Sequence, residues 1–586
     1  GTADVTFRAG LDFTRPHVSA EAPMFETEMA GADGNQCRIL AATKTTKQQV
    51  YAAAAFRGLP GTPWQEEAGI ASNGFHAVLN PGQSAKLERV VVLLTGKNAA
   101  EQESLSQRIA EANTALAQTD YEALKAESAA WWENQWKVSD IEICGDEVNQ
   151  QGIRFCIFML LQTYTGVDTR LNIGPKGFTG EKYGGVTYWD TEVCCLPFYL
   201  FNNPQAAKSF LKFRYDTLPE AKERAAALDC KGAFYPIATI SGRECCDLWQ
   251  HASLQLQAST GVAYVHQTGD TEFLYTGGAE MLVEISRMLA SRGDFDPVTG
   301  KYGYYCVMGP DEFQMMVHHN AYTNFMGQKT LRYTLETLAQ MDEASLAKLN
   351  VTPEEMADWK HKADSMYIPY DEDTKLFEQH MGYFHLPELD IAAIPADQFP
   401  LYSHWSYERI YRNSMIKQPD VLMFLMLYGS EFTQEQLAAN YDFYEPRCIH
   451  ESSLSPSIHS ILACRLGRMQ KAEDYFGFAT RMDLDDYNRN TCEGLHTTSI
   501  AGAWMNIVYG FGGLNCDGDL LNLSPCIPAQ WKQYSFTSQA GGSVLRVTVS
   551  QEKVTLERLS GAPVTLGLYG EKVTVADAPL VHVREA

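Results

Sequence analysis

Gly309-Pro310-Asp311-Glu312 sets two carboxylates side by side ahead of an apolar run, Phe313 to Val317. A carboxylic acid kept neutral in a partly apolar cleft can protonate a glycosidic oxygen, and Glu312 is the candidate for that step. The plainer reading is structural. Phe313 to Val317 and Asn320 to Asn324 read on as a helix, and acidic residues at a helix start answer its dipole. Both readings hold together if Asp311 caps the helix that aims Glu312 into a cleft.

Other stretches carry complementary chemistry. Leu171 to Gly185 is dense in glycine and leads into Tyr188-Trp189-Asp190-Thr191-Glu192. Glycines let backbone approach a ligand, and Trp189 beside Asp190 joins an apolar face to a hydroxyl acceptor, as a pyranose requires. A helix start after a flexible loop explains the same string equally well. Three further stretches put small polar or basic residues at a helix start. Lys417-Gln418-Pro419-Asp420 precedes Val421 to Leu427, and Pro419 suits a first helical position. His450-Glu451-Ser452-Ser453-Leu454-Ser455-Pro456 precedes Ile458, Ile461 and Leu462, and Gly494-Leu495-His496-Thr497-Thr498 precedes Ile500 to Val508. Helix N-termini carry free N–H groups and partial positive charge. If these ends converge, Lys417, Ser452, Ser453 and His496 form a phosphate pocket. Taken one at a time, each start reads as a simple cap.

The elements that must position these residues follow from periodicity. Residues 1–97 alternate in short runs between polar turns, which predicts an N-terminal β-sandwich. Residues 98–144 turn rich in Ala, Glu, Gln and Leu and read as a helical linker. Residues 145–515 are helix after helix, with about twelve candidates starting near 189, 204, 246, 271, 313, 353, 415, 433, 456, 469 and 497 besides the helix through Ile153 to Tyr164. That number suits an (α/α)6 barrel with loops at one end building a cleft. Residues 516–586 return to alternation and read as a small C-terminal β-sandwich.

Composition narrows the function classes. The 586 residues are 45% hydrophobic and 20% charged, enough for large cores without staples. A net charge of −25 argues against nucleic acid or an anionic membrane as partner. No run is long and apolar enough to span a bilayer. Fourteen scattered cysteines without a C-x-x-C fit reduced thiols in a cytoplasmic protein and give no metal spacing. Gly1 opens the chain inside what reads as a strand, without Met, so the true start is expected earlier.

Taken jointly, the strings resemble those of the α-glucoside phosphorylases of glycoside hydrolase family 65, whose members include maltose, kojibiose, nigerose and trehalose phosphorylases. The resemblance rests on LNIGPKGFTGEKYGG with TYWDTE, GPDEFQMMV with NAYTN, KQPDV, HESSLSPSIHS, and EGLHTTSIAGAW with VYGFGGL, in the family's order. It implies a multidomain enzyme with an (α/α)6-barrel catalytic domain between two β-sandwiches, and inverting attack of inorganic phosphate on an α-glucoside to give β-glucose 1-phosphate. Glu312 is then the general acid. Lys417, Ser452, Ser453 and His496 hold phosphate; Trp189, Asp190, Lys417, Gln418 and Trp249 hold sugar. No organic cofactor or metal is implied, and the family suggests a homodimer. Three departures stand out. Glu451 replaces an expected Asp and reopens an inverting α-glucosidase with a glutamate base. Gln314 to Asn320 and Glu244 to His251 differ from maltose-phosphorylase strings, which favours nigerose or another α-1,3 or α-1,2 glucoside. A non-catalytic sugar-binding protein is the third reading, opposed by the intact Glu312.

Overall fold

Alternating apolar positions set two sheets in the first of two units, Gly1–Lys137. One has the order Phe25–Ala32, Gln36–Thr43, Gln49–Arg57, Glu88–Gly96, all antiparallel. The other runs Ala3–Asp12, Ile70–Leu79, Gly61–Pro63. Cys37, Ile39, Ala54 and Phe56 from the first meet Ala71 and Phe75 from the second in one core. The opposite face of the first sheet, through Ala53, Val90 and Val92, takes Ile109 and Leu116 of the helix Leu105–Gln118. The computed structural model describes residues 1–584 apart from 18–21, 65–66, 247–263, 266–267 and 517–519.

The second unit, Val138–Ala586, is helical through its centre. Five of its described helices bury almost every side chain over at least their first turns: Leu196–Asn202, Ala321–Ala339, Val421–Leu427, Ser455–Arg465 and Thr497–Met505. Each has a more amphipathic partner packed on it: Pro204–Asp216, Pro353–Asp364, Gln434–Tyr444, Met469–Arg481 and Glu147–Thr163 in turn. Met469–Arg481, for example, buries Ala472, Phe476, Ala479 and Thr480, a single stripe at helical spacing. The enclosed helices also pack on one another: Ala321–Ala339 on Val421–Leu427, that on Ser455–Arg465, that on Thr497–Met505, and the last on Leu196–Asn202. The helix expected near 246 falls outside the described residues.

Several starts differ from the periodicity reading. The helix expected from Phe313 begins at Ala321. Val307 and Val317 pair as a bridge and close the intervening stretch into a loop. Asn320, not Asp311, caps the helix, accepting from Thr323 N at 2.8 Å. The helix expected from 415 begins at Val421, so Pro419 lies ahead of it rather than within its first turn. Leu218–Ala227 and Glu343–Leu349 are helices that the reading did not include.

The last residues form a sheet of order Leu580–Val583, Lys553–Ser560, Ser543–Ser550, Gln533–Ala540, Ile141–Cys144, and a smaller one of Asn522–Leu523, Val564–Leu568, Glu571–Val575. Ile141–Cys144 corrects the all-helical reading of 98–144. Ile141 and Ile143 alternate into the core, and the strand pairs with Gln533–Phe536.

Candidate active site

Each sequence candidate that can be placed lies just ahead of one of the enclosed helices. Trp189 and Asp190 precede the π-turn Thr191–Cys195 that runs into Leu196–Asn202. Glu312 lies in the loop before Ala321, and Lys417 and Gln418 precede Val421. Ser452 and Ser453 precede Ser455, and His496 precedes Thr497. Contacts between residues remote in sequence join these stretches, Glu312 with Lys417 and Asp190 with Thr498.

Asp311 organises the acid loop. One carboxylate oxygen accepts from Lys417 N at 2.9 Å and Phe313 N at 3.1 Å, and the other from Gln379 Nε2 at 2.9 Å. Its burial pushes it up to about 6 against the pull of these donors. Glu312 N donates to Gln418 Oε1 at 3.1 Å, and the Glu312 carboxylate pairs with Lys417 Nζ. Gln418 therefore grips the backbone of Glu312. Burial pulls Lys417 down, but the charge and hydrogen bond of Glu312 outweigh it and raise the ammonium. Behind this pair Asp420, buried, accepts from Asn320 Nδ2 at 2.9 Å. Burial and the nearby Asp311 push Asp420 up to about 8. Gly309 is required here, because a Cβ would overlap the side chains of Asp420 and Asn320.

Trp189 is buried and meets Tyr322 edge-on at 6.3 Å. Asp190 stays half-open. Burial, then Glu312, then Glu192 push it up to about 7, so Asp190 and Glu312 share one field. Thr498 Oγ1, in the first turn after His496, lies 3.5 Å from Asp190 Oδ2. Glu192 is engaged elsewhere, in a buried pair with Arg214 at 2.7 Å. Two tyrosines that the sequence reading missed join the site. Tyr402 sets its ring 5.5 Å from Lys417 Nζ. Tyr183, exposed and at φ 67°, feels Lys417 and Glu312. The string around Tyr183 was conspicuous for its glycines, whereas nothing in the local pattern marked Tyr402.

A parallel bridge between Ile416 and Cys448 draws Lys417 beside His450–Ser453. Its bonds are Ile416 N to Arg447 O at 2.9 Å and Ile449 N to Ile416 O at 3.0 Å. The N-cap residues of Ser455–Arg465 and Thr497–Met505, Leu454 and His496, make no side-chain cap bond, although Ser452 Oγ accepts from Leu454 N at 3.3 Å in the turn before the first. His450, at φ 55°, braces the serine turn: Nδ1 to Ser455 Oγ at 2.7 Å, Nε2 to the Tyr475 hydroxyl at 3.2 Å. Cys448 Sγ lies 3.1 Å from the same Ser455 hydroxyl, and His459 Nδ1 donates to Ser455 O at 2.8 Å. Ligand atoms of Cys448, His450 and His459 thus sit within 4.8 Å of one another. The Ser455 hydroxyl holds Cys448 and His450, and both nitrogens of His450 are already engaged. Glu451 turns into protein: Oε1 accepts from Leu401 N, and Oε2 is buried with no partner among the described residues. Its burial raises it, opposed by the Leu401 N–H and by Lys417.

His496 donates its backbone N–H to Asp483 Oδ2 at 2.8 Å and sets Nδ1 2.6 Å from Asp483 Oδ1. The glycine-rich loop is clamped to the same segment. Leu495 N reaches Thr179 Oγ1 at 2.8 Å, Thr497 N reaches Pro175 O at 3.1 Å, and Lys176 Nζ reaches Gly494 O at 2.9 Å. Gly180 packs so close to the Glu493 carbonyl that a Cβ would overlap it. Trp249 lies outside the described residues, as does His251. His319 is buried between Tyr305 and Tyr367, ring centroids 4.7 and 5.0 Å away, while His318 is exposed.

Comparison with known proteins adds three matches in chain order. Residues 1–135 match the N-terminal domain of glycosyl hydrolase family 65, residues 154–505 its central catalytic domain and residues 514–575 its C-terminal domain. Maltose phosphorylase of Bacillus subtilis is 39% identical over 84% of this chain and 66% of its own length. Alpha,alpha-trehalose phosphorylase of Thermoanaerobacter brockii is 37% identical over 84% of this chain and 65% of its own. The chain thus spans about two thirds of the length of these curated relatives. A solved structure provisionally named kojibiose phosphorylase, from the human microbiome, superposes with a TM-score of 0.92 at 41% identity, covering 100% of this chain and 78% of that one.

Proposed function

Because the chain belongs to glycosyl hydrolase family 65, we propose that it catalyses inverting phosphorolysis of an α-linked glucose disaccharide. Inorganic phosphate attacks the anomeric carbon while Glu312 gives its proton to the departing glycosidic oxygen. The C–O bond to the acceptor breaks, a C–O bond to phosphate forms on the opposite face, and β-glucose 1-phosphate and a free sugar leave. Trp189 and Asp190 hold the non-reducing glucose, with Lys417, Gln418 and Trp249 at its border. Lys417, Ser452, Ser453 and His496 hold phosphate. The observation that carries this reading is that Glu312, Lys417, Asp190 and the first turn of Thr497–Met505 come together, so that bound phosphate would draw Lys417 off the Glu312 carboxyl and leave it able to hold a proton. The Lys417 cation suits an anionic nucleophile.

Glu451 supports the same choice over a hydrolase. One of its oxygens is bound to the Leu401 backbone and the other is buried, so neither is presented to a water in the cleft. Nigerose or another α-1,3 or α-1,2 glucoside is the proposed substrate, on the departures at 244–251 and 314–320. The proposed architecture is an (α/α)6 barrel at 145–515, a β-sandwich at 1–97 joined through a helical linker that ends at Ser139, and a small β-sandwich at 516–586 that Ile141–Cys144 joins. The five pairs of enclosed and amphipathic helices support the barrel. The enzyme is proposed to act as a cytoplasmic homodimer without metal or organic cofactor.

The test is direct. Purified protein is incubated with nigerose, kojibiose, maltose and trehalose, with and without phosphate, and β-glucose 1-phosphate is followed. Phosphate-dependent formation from an α-1,3 or α-1,2 disaccharide is expected. Free glucose released at a rate indifferent to phosphate would overturn phosphorolysis in favour of the hydrolase, and no turnover would leave a sugar-binding protein.

A further inference from the structure

We propose that Asp483 is a positioning residue that holds His496 on bound phosphate. This rests on the reading of His496 as a phosphate ligand. The Asp483 side chain is 3% exposed and that of His496 11%. Both carboxylate oxygens of Asp483 serve one residue: Oδ2 takes the His496 backbone N–H at 2.8 Å, and Oδ1 takes ring Nδ1 at 2.6 Å. The two-point grip fixes the backbone at the start of Thr497–Met505 and the plane of the ring together. A carboxylate on Nδ1 makes that nitrogen the donor and leaves Nε2 as the nitrogen for a ligand. With Nδ1 held by Asp483, Nε2 is the ring nitrogen turned to phosphate, and the carboxylate strengthens the hydrogen bond it makes there.

The surroundings do not replace this carboxylate. Lys176 lies within the field of Asp483, but its ammonium reaches the Gly494 carbonyl at 2.9 Å. Glu493 is paired with Lys182 at 3.3 Å. Asp486, further along the same turn, feels His496 but accepts from Thr491 N. Asp483 is the carboxylate in contact with the ring.

Asp483→Asn separates positioning from mere folding. An asparagine can still accept the His496 backbone N–H, but it offers an amide N–H or a neutral oxygen to Nδ1 in place of a carboxylate. KM for phosphate is expected to rise about tenfold, the gap between charge-assisted and neutral hydrogen bonding. KM for the disaccharide and the unfolding temperature without phosphate should stay near wild type. The rise in unfolding temperature that phosphate gives the wild type should shrink in the variant, a readout that needs no turnover. Asp483→Ser serves if the amide is not accommodated. A wild-type KM for phosphate in a phosphate-dependent enzyme overturns the inference alone. So does an equal loss in both KM values with a lowered unfolding temperature, which marks Asp483 as structural only. Wild-type turnover indifferent to phosphate overturns the phosphorylase reading and this inference with it.

Discussion

Glu312 gives up one proton in the proposed reaction, and Glu312→Gln keeps the side chain's shape while removing that proton. Lys417 Nζ can still donate to the amide oxygen, so the loop that Asp311 and Gln418 hold should stand. We expect kcat on a disaccharide to fall by roughly a hundredfold or more, the usual scale of general acid catalysis. An α-glucosyl fluoride needs little protonation of its leaving group, so phosphorolysis of that substrate should be largely spared. Equal loss on both substrates would mean that Glu312 acts by charge or shape. At this scale much was legible in the sequence. Glu312, Lys417 and His496 each stand where a polar residue meets an apolar run, and the structure draws Glu312 and Lys417 together. Asp483 was not legible. It opens Asp483-Leu484-Asp485-Asp486, which reads as a solvated acidic turn, and only the fold chooses which aspartate meets His496. Tyr402 was hidden for the same reason, since its position beside Lys417 comes from a loop with no periodic pattern.

Among the elements, the largest misreading was the helix start at Phe313. The apolar run looked helical, but Val317 pairs with Val307 and Asp311 turns inward to the backbone of Lys417. The true start carried its own mark, Asn320 three residues before Thr323, which an apolar-run reading passes over. The inward turn places Asp311 and Asp420 together in the interior, and this has a thermodynamic consequence. A carboxyl raised to about 8 in the fold, against 3.8 as its ordinary value, holds its proton more tightly folded than unfolded. Stability then falls as pH climbs from about 4 to about 8, and is level on either side. Asp311 adds a weaker slope that ends near 6. Asp420→Asn keeps an acceptor for Asn320 and cannot ionise. Thermal unfolding from pH 5 to pH 8.5 should therefore show a smaller loss of stability in the variant, by up to about 4 kcal/mol if the whole shift were realised. Parallel curves for the two proteins would show that Asp420 does not titrate in this window.

Across the whole chain, the alternation of β, helix and β was legible because each pattern has its own period, and the pairing of enclosed with amphipathic helices follows from apolar runs on one hand and apolar stripes on the other. What no local period can give is a partner distant in sequence. Ile141–Cys144 sits before the first long helix of its unit yet forms an edge of the sheet near the other end of the chain, with Ile143 opposite Tyr534 and Ile141 opposite Phe536. Its outer edge is covered as well. Gln150, in the first turn of Glu147–Thr163, accepts from Ile143 N at 2.6 Å and donates to Ile141 O at 2.9 Å. Four residues thus tie the helices to the late sheet, with little exposed edge left to recruit another strand. Ile143 is 5% exposed, and Ile143→Ala removes buried apolar volume worth about 2–5 kcal/mol. If the strand is a true tie, hydrogen exchange should quicken together in Glu147–Thr163 and Gln533–Ala540, because neither keeps its packing without the other. Exchange that quickens only within Ile141–Cys144 would mean that the two regions hold together by other contacts and the strand is an ornament on the sheet.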